Sequence, residues 1–278
     1  MDFIFILISH LVIAYYSWNF DQLLPSWVCV LAAVCYFLYF TLDCLDGKQA
    51  RKIGAGSPLG MMFDHGCDAL GTPLSFCNFM ALAQCRSTLV LIVCLLFLMG
   101  GFFIATFETY YVGGLFLGEI NPVTDGSVMV ILLYLLSAIL GPAIWVKPLF
   151  VIHGFTITTF IALIIALMIF QNLVGNLTSF KNILNSKEKP TISTLLKNSF
   201  SYVFLSCTAM ATYYSNLWID YPRLMIYLFG IMFTKLNVYT LAMQVVKSKL
   251  KLVIYSIICP CILILIHIAA LNHGYDVN

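Results

Sequence analysis

Nine stretches of this chain are apolar over about the 20 residues needed to cross a bilayer, and this constrains the fold more than any other feature. They run 3–17, 24–42, 60–83, 88–107, 127–146, 149–174, 194–214, 223–245 and 252–271. A soluble fold of 278 residues needs a polar surface, yet only 9% of these residues are charged and 62% are hydrophobic. Hydrocarbon is the solvent in which that composition is tolerable, and helices are the elements that satisfy their own backbone there. The expectation is an all-α polytopic membrane protein of about nine transmembrane helices, within a range of about eight to ten, in one domain over 1–278. Pro142, Pro148 and Pro260 are expected to mark kinks or helix ends.

Several classes are excluded early. A net charge of +2 offers no footprint for nucleic acid. The 10 cysteines form no CxxC pair and lie mostly inside apolar runs, so neither a disulfide framework nor a zinc site is indicated. The first run has no basic stretch before it and no small-residue cleavage site, so it reads as a membrane helix and not a removable signal. His10, His153, His267 and His273 are scattered and read as packing or interface residues.

Basic residues orient the chain. Lys48, Arg51 and Lys52, then Lys181, Lys187 and Lys189, then Lys247, Lys249 and Lys251 fall in loops on one side; the alternate loops hold Arg86, Lys147 and Arg223. The positive-inside rule places the first set, the loop after Glu108 and the N-terminus in the cytosol.

Polar chemistry is concentrated in one place. Of 12 acidic residues, four lie between Asp43 and Asp68. Asp43 and Asp46 are three apart at a helix end, and Asp64 and Asp68 are four apart on the next helix, so each pair shares a face. The stretch between them, KIGAGSPLG, holds the Gly and Pro of a turn. Four carboxylates facing one volume repel unless cations sit among them. Hard oxygen donors favour Mg²⁺, Mn²⁺ or Ca²⁺, and two such ions suit phosphoryl transfer. Gly47 permits close backbone approach, Arg51 can grip phosphate with two parallel hydrogen bonds, and His65 can act as a base near neutral pH. A cation-binding or transport site is the other reading of carboxylates at membrane depth. The Gly47–Arg51 pairing argues against it, because a cation path has no use for a phosphate-binding arginine.

The segment reads D43-C-L-D46-G47-K-Q-A50-R51, then eight residues, then G60-M-M-F-D64-H-G-C-D68. It resembles the CDP-alcohol phosphotransferase pattern DxxDGxxAR…GxxxDxxxD, and its fuller wording resembles the cholinephosphotransferase and ethanolaminephosphotransferase branch. That resemblance implies two divalent cations, Mg²⁺ or Mn²⁺, held by Asp43, Asp46 and Asp64, with Asp68 a further ligand or a base. Gly47, Ala50, Arg51 and Gly60 would contact or make room for the CDP group. His65 would be the base, with Glu108 its partner across the site. The implied substrates are CDP-choline or CDP-ethanolamine and diacylglycerol, meeting at a cytosol-facing site in endoplasmic reticulum or Golgi membrane. The implied assembly is a homodimer among membrane lipids. Two departures stand out. Met61 occupies a position where the branch has Glu. The branch also carries an amphipathic segment and a Pro-Asn pair ahead of the first span, where this sequence starts at the span. A shortened, catalytically impaired homologue is therefore an alternative to the active enzyme.

Overall fold

The computed structural model describes residues 2–113, 122–145, 151–152, 155–186 and 189–250, together with 262 and 264. Apart from residues 262 and 264, the expected span at 252–271 lies outside these residues, as do Pro148 and Pro260. Among those described, nine α-helices follow one another: α1 (Phe3–Tyr16), α2 (Ser26–Lys52), α3 (Pro58–Leu82), α4 (Thr88–Val112), α5 (Pro122–Leu140), α6 (Ile157–Leu184), α7 (Ile192–Ala211), the single-turn α8 (Leu217–Asp220) and α9 (Pro222–Val245). The protein is an all-α polytopic membrane protein. By length and composition, α2, α4 and α9 are each able to cross a bilayer, with α1 and residues 126–140 forming shorter apolar helices. Two short antiparallel strands, Val151–Ile152 paired with Phe155–Thr156, lie near the start of the stretch expected to be helical from residue 149.

The largest difference from expectation is at the end of α2. The apolar run stops at residue 42, but the helix continues ten residues further, to Lys52. Apolarity measures where hydrocarbon is tolerated, whereas the helix needs only residues that lose little on becoming helical. Leu45, Lys48, Gln49, Ala50 and Arg51 are all of that kind. The whole DxxDGxxAR segment is therefore helical. The helix stops where the sequence dictates: Gly54 takes a left-handed φ of +67°, Gly54 N–H donates to the Arg51 carbonyl and Ala55 N–H to that of Ala50. This pair of bonds closes a helix end with glycine just past it. Three residues after Gly54, Ser57 caps α3, its Oγ accepting from Gly60 N–H at 3.0 Å, with Pro58 in the first turn where its missing N–H costs nothing.

Helix packing is tightest where side chains are smallest. Pro73 lies inside α3, and a Cβ added to Gly230 of α9 would come within 2.7 Å of its ring. The proline ring thus rests on bare backbone. One turn along, Thr234 Oγ1 donates to the Ala69 carbonyl freed beside that proline. Next to this seam, Phe102 of α4 meets Phe233 of α9 edge to face. Elsewhere α2 lies along α5, α4 along α6, and α1 along both α2 and α3.

At the far end, Arg223 departs from the loop position expected of it. It is fully buried in the first turn of α9. It donates to the Ser17 and Trp18 carbonyls and stacks over the Trp18 and Phe20 rings. These carbonyls follow the end of α1, where a cation meets the negative pole of the helix. His10 is a packing residue as expected, held between Asn78 Oδ1 at 2.8 Å and the Tyr227 hydroxyl.

Replacing Gly230 with Ala should destabilise the bundle by about 1–3 kcal/mol through overpacking against Pro73, measured as an earlier loss of helicity in a denaturing-detergent titration. A Gly113→Ala control should behave differently, because nothing lies within 4 Å of the added Cβ there and its cost arises only from the positive φ.

Candidate active site

The end of α2 and the start of α3 bring the four motif carboxylates together. Taking one oxygen from each, Asp43, Asp46 and Asp64 lie within 4.8 Å of one another. Asp64, His65 and Asp68 form an overlapping group, and so do Asp2, Asp43 and Asp68. Half-buried side chains dominate, apart from exposed Asp46 and well-buried Asp2. The two helices are joined at this end by the turn described above, and each supplies its carboxylates from a single face.

Asp68 is held on both sides. Tyr39 of α2 donates its hydroxyl proton to Asp68 Oδ1 at 2.6 Å, while Oδ2 faces His65 Nδ1 at 3.9 Å. The same nitrogen lies 3.8 Å from Asp64 Oδ2. His65 is thus flanked by two carboxylates, one of them fixed by a tyrosine. Arg51 folds back over the helix, its guanidinium nitrogens 3.7 and 3.9 Å from where a Gly47 Cβ would stand. That is ordinary contact, so the chain itself has room for a side chain at 47. Gly60 differs: a Cβ there would meet Ser57 Oγ at 3.1 Å, on the hydroxyl that caps α3.

The sequence profile of CDP-alcohol phosphatidyltransferases matches residues 3–184, which holds every motif residue above. The chain belongs to that family. It is 32% identical over 257 residues to the Dictyostelium discoideum "uncharacterized CDP-alcohol phosphatidyltransferase class-I family protein 3", covering 83% of this chain and 64% of that one. It is 31% identical to choline/ethanolaminephosphotransferase 1 of Arabidopsis thaliana, covering 84% and 63%. It is 37% identical to cholinephosphotransferase 1 of Xenopus laevis over 50% of this chain and 34% of that protein. In each case the chain spans less than two thirds of the relative's own length.

CDP-alcohol phosphatidyltransferases use divalent metal ions, and the donor set here fits such ions. Its ligand atoms are carboxylate oxygens, the hard donors that Mg²⁺ and Mn²⁺ prefer. The like charges of Asp43, Asp46, Asp64 and Asp68 are gathered beside an apolar bundle and call for cationic compensation.

Among the predicted residues, Asp43, Asp46, Asp64, His65 and Asp68 are brought together. Gly47, Ala50 and Arg51 follow on the same helix, and Gly60 opens the facing one. Glu108 is not in these carboxylate groups. It is fully buried in the last turns of α4, and its Oε1 accepts from Asn182 Nδ2 of α6 at 2.7 Å. Two residues of the cluster, Tyr39 and Asp2, escaped the sequence reading. A tyrosine inside an apolar run reads as a membrane-interface residue, and only the fold reveals its contact 29 positions away. Asp2 carried a readable signal: it is an acid at the end of the first span assigned by charge to the same side as the motif loop.

Tyr39→Phe should lower kcat by about 10- to 100-fold, the usual cost of losing a group that orients a ligand or base, while metal-dependent CMP binding persists. Steady-state kinetics and nucleotide binding on the purified chain check both.

Proposed function

We propose that the chain transfers phosphocholine or phosphoethanolamine from CDP-choline or CDP-ethanolamine to diacylglycerol, giving phosphatidylcholine or phosphatidylethanolamine and CMP. One observation carries this: the complete eight-residue family signature lies on two helices whose carboxylates converge beside a histidine. Names of the Arabidopsis and Xenopus relatives point to the same headgroups.

In this reading Asp43, Asp46, Asp64 and Asp68 hold two divalent ions, Mg²⁺ or Mn²⁺. When bound, these ions neutralise the diphosphate and stabilise the leaving CMP. Arg51 grips a phosphate oxygen from the exposed face of α2. Gly47 lets the nucleotide approach the helix backbone, in a space bordered by the Arg51 guanidinium, 3.7 Å from where a Cβ would stand. His65 takes the proton of the lipid hydroxyl. That oxygen attacks the phosphorus bearing the headgroup, the bond from this phosphorus to the bridging oxygen breaks, and the electron pair leaves with CMP. Asp68, tethered by Tyr39, orients His65 and stabilises its protonated form. The site faces the cytosol, where the charged donor arrives, and diacylglycerol reaches it from the bilayer. Endoplasmic reticulum or Golgi membrane is the proposed location, and a homodimer the proposed assembly.

The decisive test supplies diacylglycerol, Mg²⁺ or Mn²⁺, and each labelled donor in turn to membranes holding either the parent chain or Asp64→Ala. Labelled phospholipid from the parent alone is the expected result, with turnover in the variant reduced by at least about 10³-fold. Equal product from both would sink the reading, and so would product from neither in correctly inserted protein.

A further inference from the structure

Glu108 is a buried carboxylate without a counter-charge. Asn182 occupies Oε1. Oε2 is closed off from solvent and has no hydrogen-bond partner, and among the described residues no Lys, Arg or His lies within ion-pairing distance. Leaving such a group unmatched is costly. A divalent ion is a poor match, because one carboxylate and one amide supply few of the hard donors such ions require. The chemistry that fits is a small organic cation bearing N–H.

Helix register sets the depth of Glu108. Phe102 of α4 meets Phe233 of α9, and Met99 approaches Gly230, so the two helices run parallel. Glu108, six residues past Phe102, is then level with Tyr239, six past Phe233. On the other side of α9, Val238 packs against Gly66 of α3, the neighbour of His65. Glu108 and His65 therefore lie at one depth, carried by helices that share α9 as a common partner. Two further buried acceptors lack partners here, Asn237 Oδ1 and Gln244 Oε1. They stand four and eleven residues past Phe233 on α9, on the stripe turned towards α4.

We infer that Glu108, positioned by Asn182, binds the ammonium end of the CDP-alcohol, and that the site favours a primary ammonium over a quaternary one. The inference rests on the transfer reading above and names the headgroup it selects. A primary ammonium donates charge-assisted hydrogen bonds to a carboxylate and to amide oxygens. A trimethylammonium has no N–H and is held instead by ring faces. The aromatic residues near Glu108 along α4 pack on other rings: Phe103 stacks on both Phe107 and Tyr202, and Tyr111 meets Phe107 and Tyr110 edge to face. What distinguishes this position is its orphan acceptors, which an N–H donor can satisfy and a trimethylammonium cannot.

The test measures two things on the full chain in lipid nanodiscs with Mg²⁺ or Mn²⁺. One is kcat and KM for CDP-ethanolamine and CDP-choline. The other is competition of each donor, and of CMP, for the nucleotide site. The parent should prefer CDP-ethanolamine. Glu108→Gln should raise its KM by roughly tenfold or more and weaken its competition equally, while CMP, which has no ammonium, binds as before. Asn182→Ala should shift the same two quantities less. An unchanged KM in a Glu108→Gln chain that still binds CMP overturns the assignment, and a parent preference for CDP-choline overturns the primary-ammonium choice. If Glu108→Gln loses CMP binding as well, Asn182→Ala decides by the same criterion. If the parent turns over neither donor, the transfer reading fails by itself. Competition by CDP-ethanolamine that weakens in Glu108→Gln then still upholds the ammonium site, and competition that does not weaken rejects it.

Discussion

Mutual repulsion among carboxylates is the constraint around which this structure is organised. Asp43, Asp46, Asp64 and Asp68 are held with single oxygens inside 4.8 Å groups at the end of a bundle made almost entirely of hydrocarbon side chains. Left alone, such charges would push α2 and α3 apart. They are kept together by a turn closed by Gly54 and Ser57, by Tyr39 reaching from α2 to Asp68, and by the packing of α3 onto α9 through Pro73 and Gly230. The scaffold thus spends packing energy to maintain a concentration of negative charge, and divalent cations are the counterpart that makes this useful. Phosphoryl transfer needs such an arrangement, because its transition state carries charge on oxygens that metals and a nearby guanidinium can stabilise.

The two ends of the bundle treat buried charge differently. At the far end, Arg223 sits in a closed setting of two carbonyls and two aromatic rings. It ties α9 to the end of α1 and so acts as a structural clamp. At the motif end, half-exposed carboxylates surround a histidine, and buried Glu108 keeps an oxygen without a partner. Arg223 and Glu108 each keep one buried atom without a partner, Nη1 and Oε2. They differ in how much of the charge is compensated: two carbonyls and two ring faces meet Arg223, whereas a single amide meets Glu108.

Much of the architecture was legible because a bilayer leaves few choices. A run of apolar residues must become a helix, and eight of the nine expected spans fall on described helices. Errors arose where apolarity stops being the controlling quantity. α2 outlasts its apolar run because Gln49, Ala50 and Arg51 are good helix formers whatever surrounds them. Residues 151–152 and 155–156 are apolar enough to read as helix, yet pair as two short strands. Arg223 reads as a loop charge and is a core residue, since carbonyls at the end of α1 can satisfy it and no sequence pattern shows where they lie.

What the sequence determined by itself was the chemistry: which residues carry oxygen, their spacing along each helix, and the turn that reverses the chain between them. Spacings of three and four place side chains on one face by the geometry of any α-helix, and a glycine, a serine and a proline in that order make the reversal local. Tertiary structure alone decided what meets across helices. That Tyr39 fixes Asp68, that Asp2 joins the carboxylates, and that Glu108 faces Asn182 at the depth of His65 all depend on crossing points such as Pro73 on Gly230. Those crossings are set by the shapes of surfaces far apart in the chain, and local spacing carries no record of them.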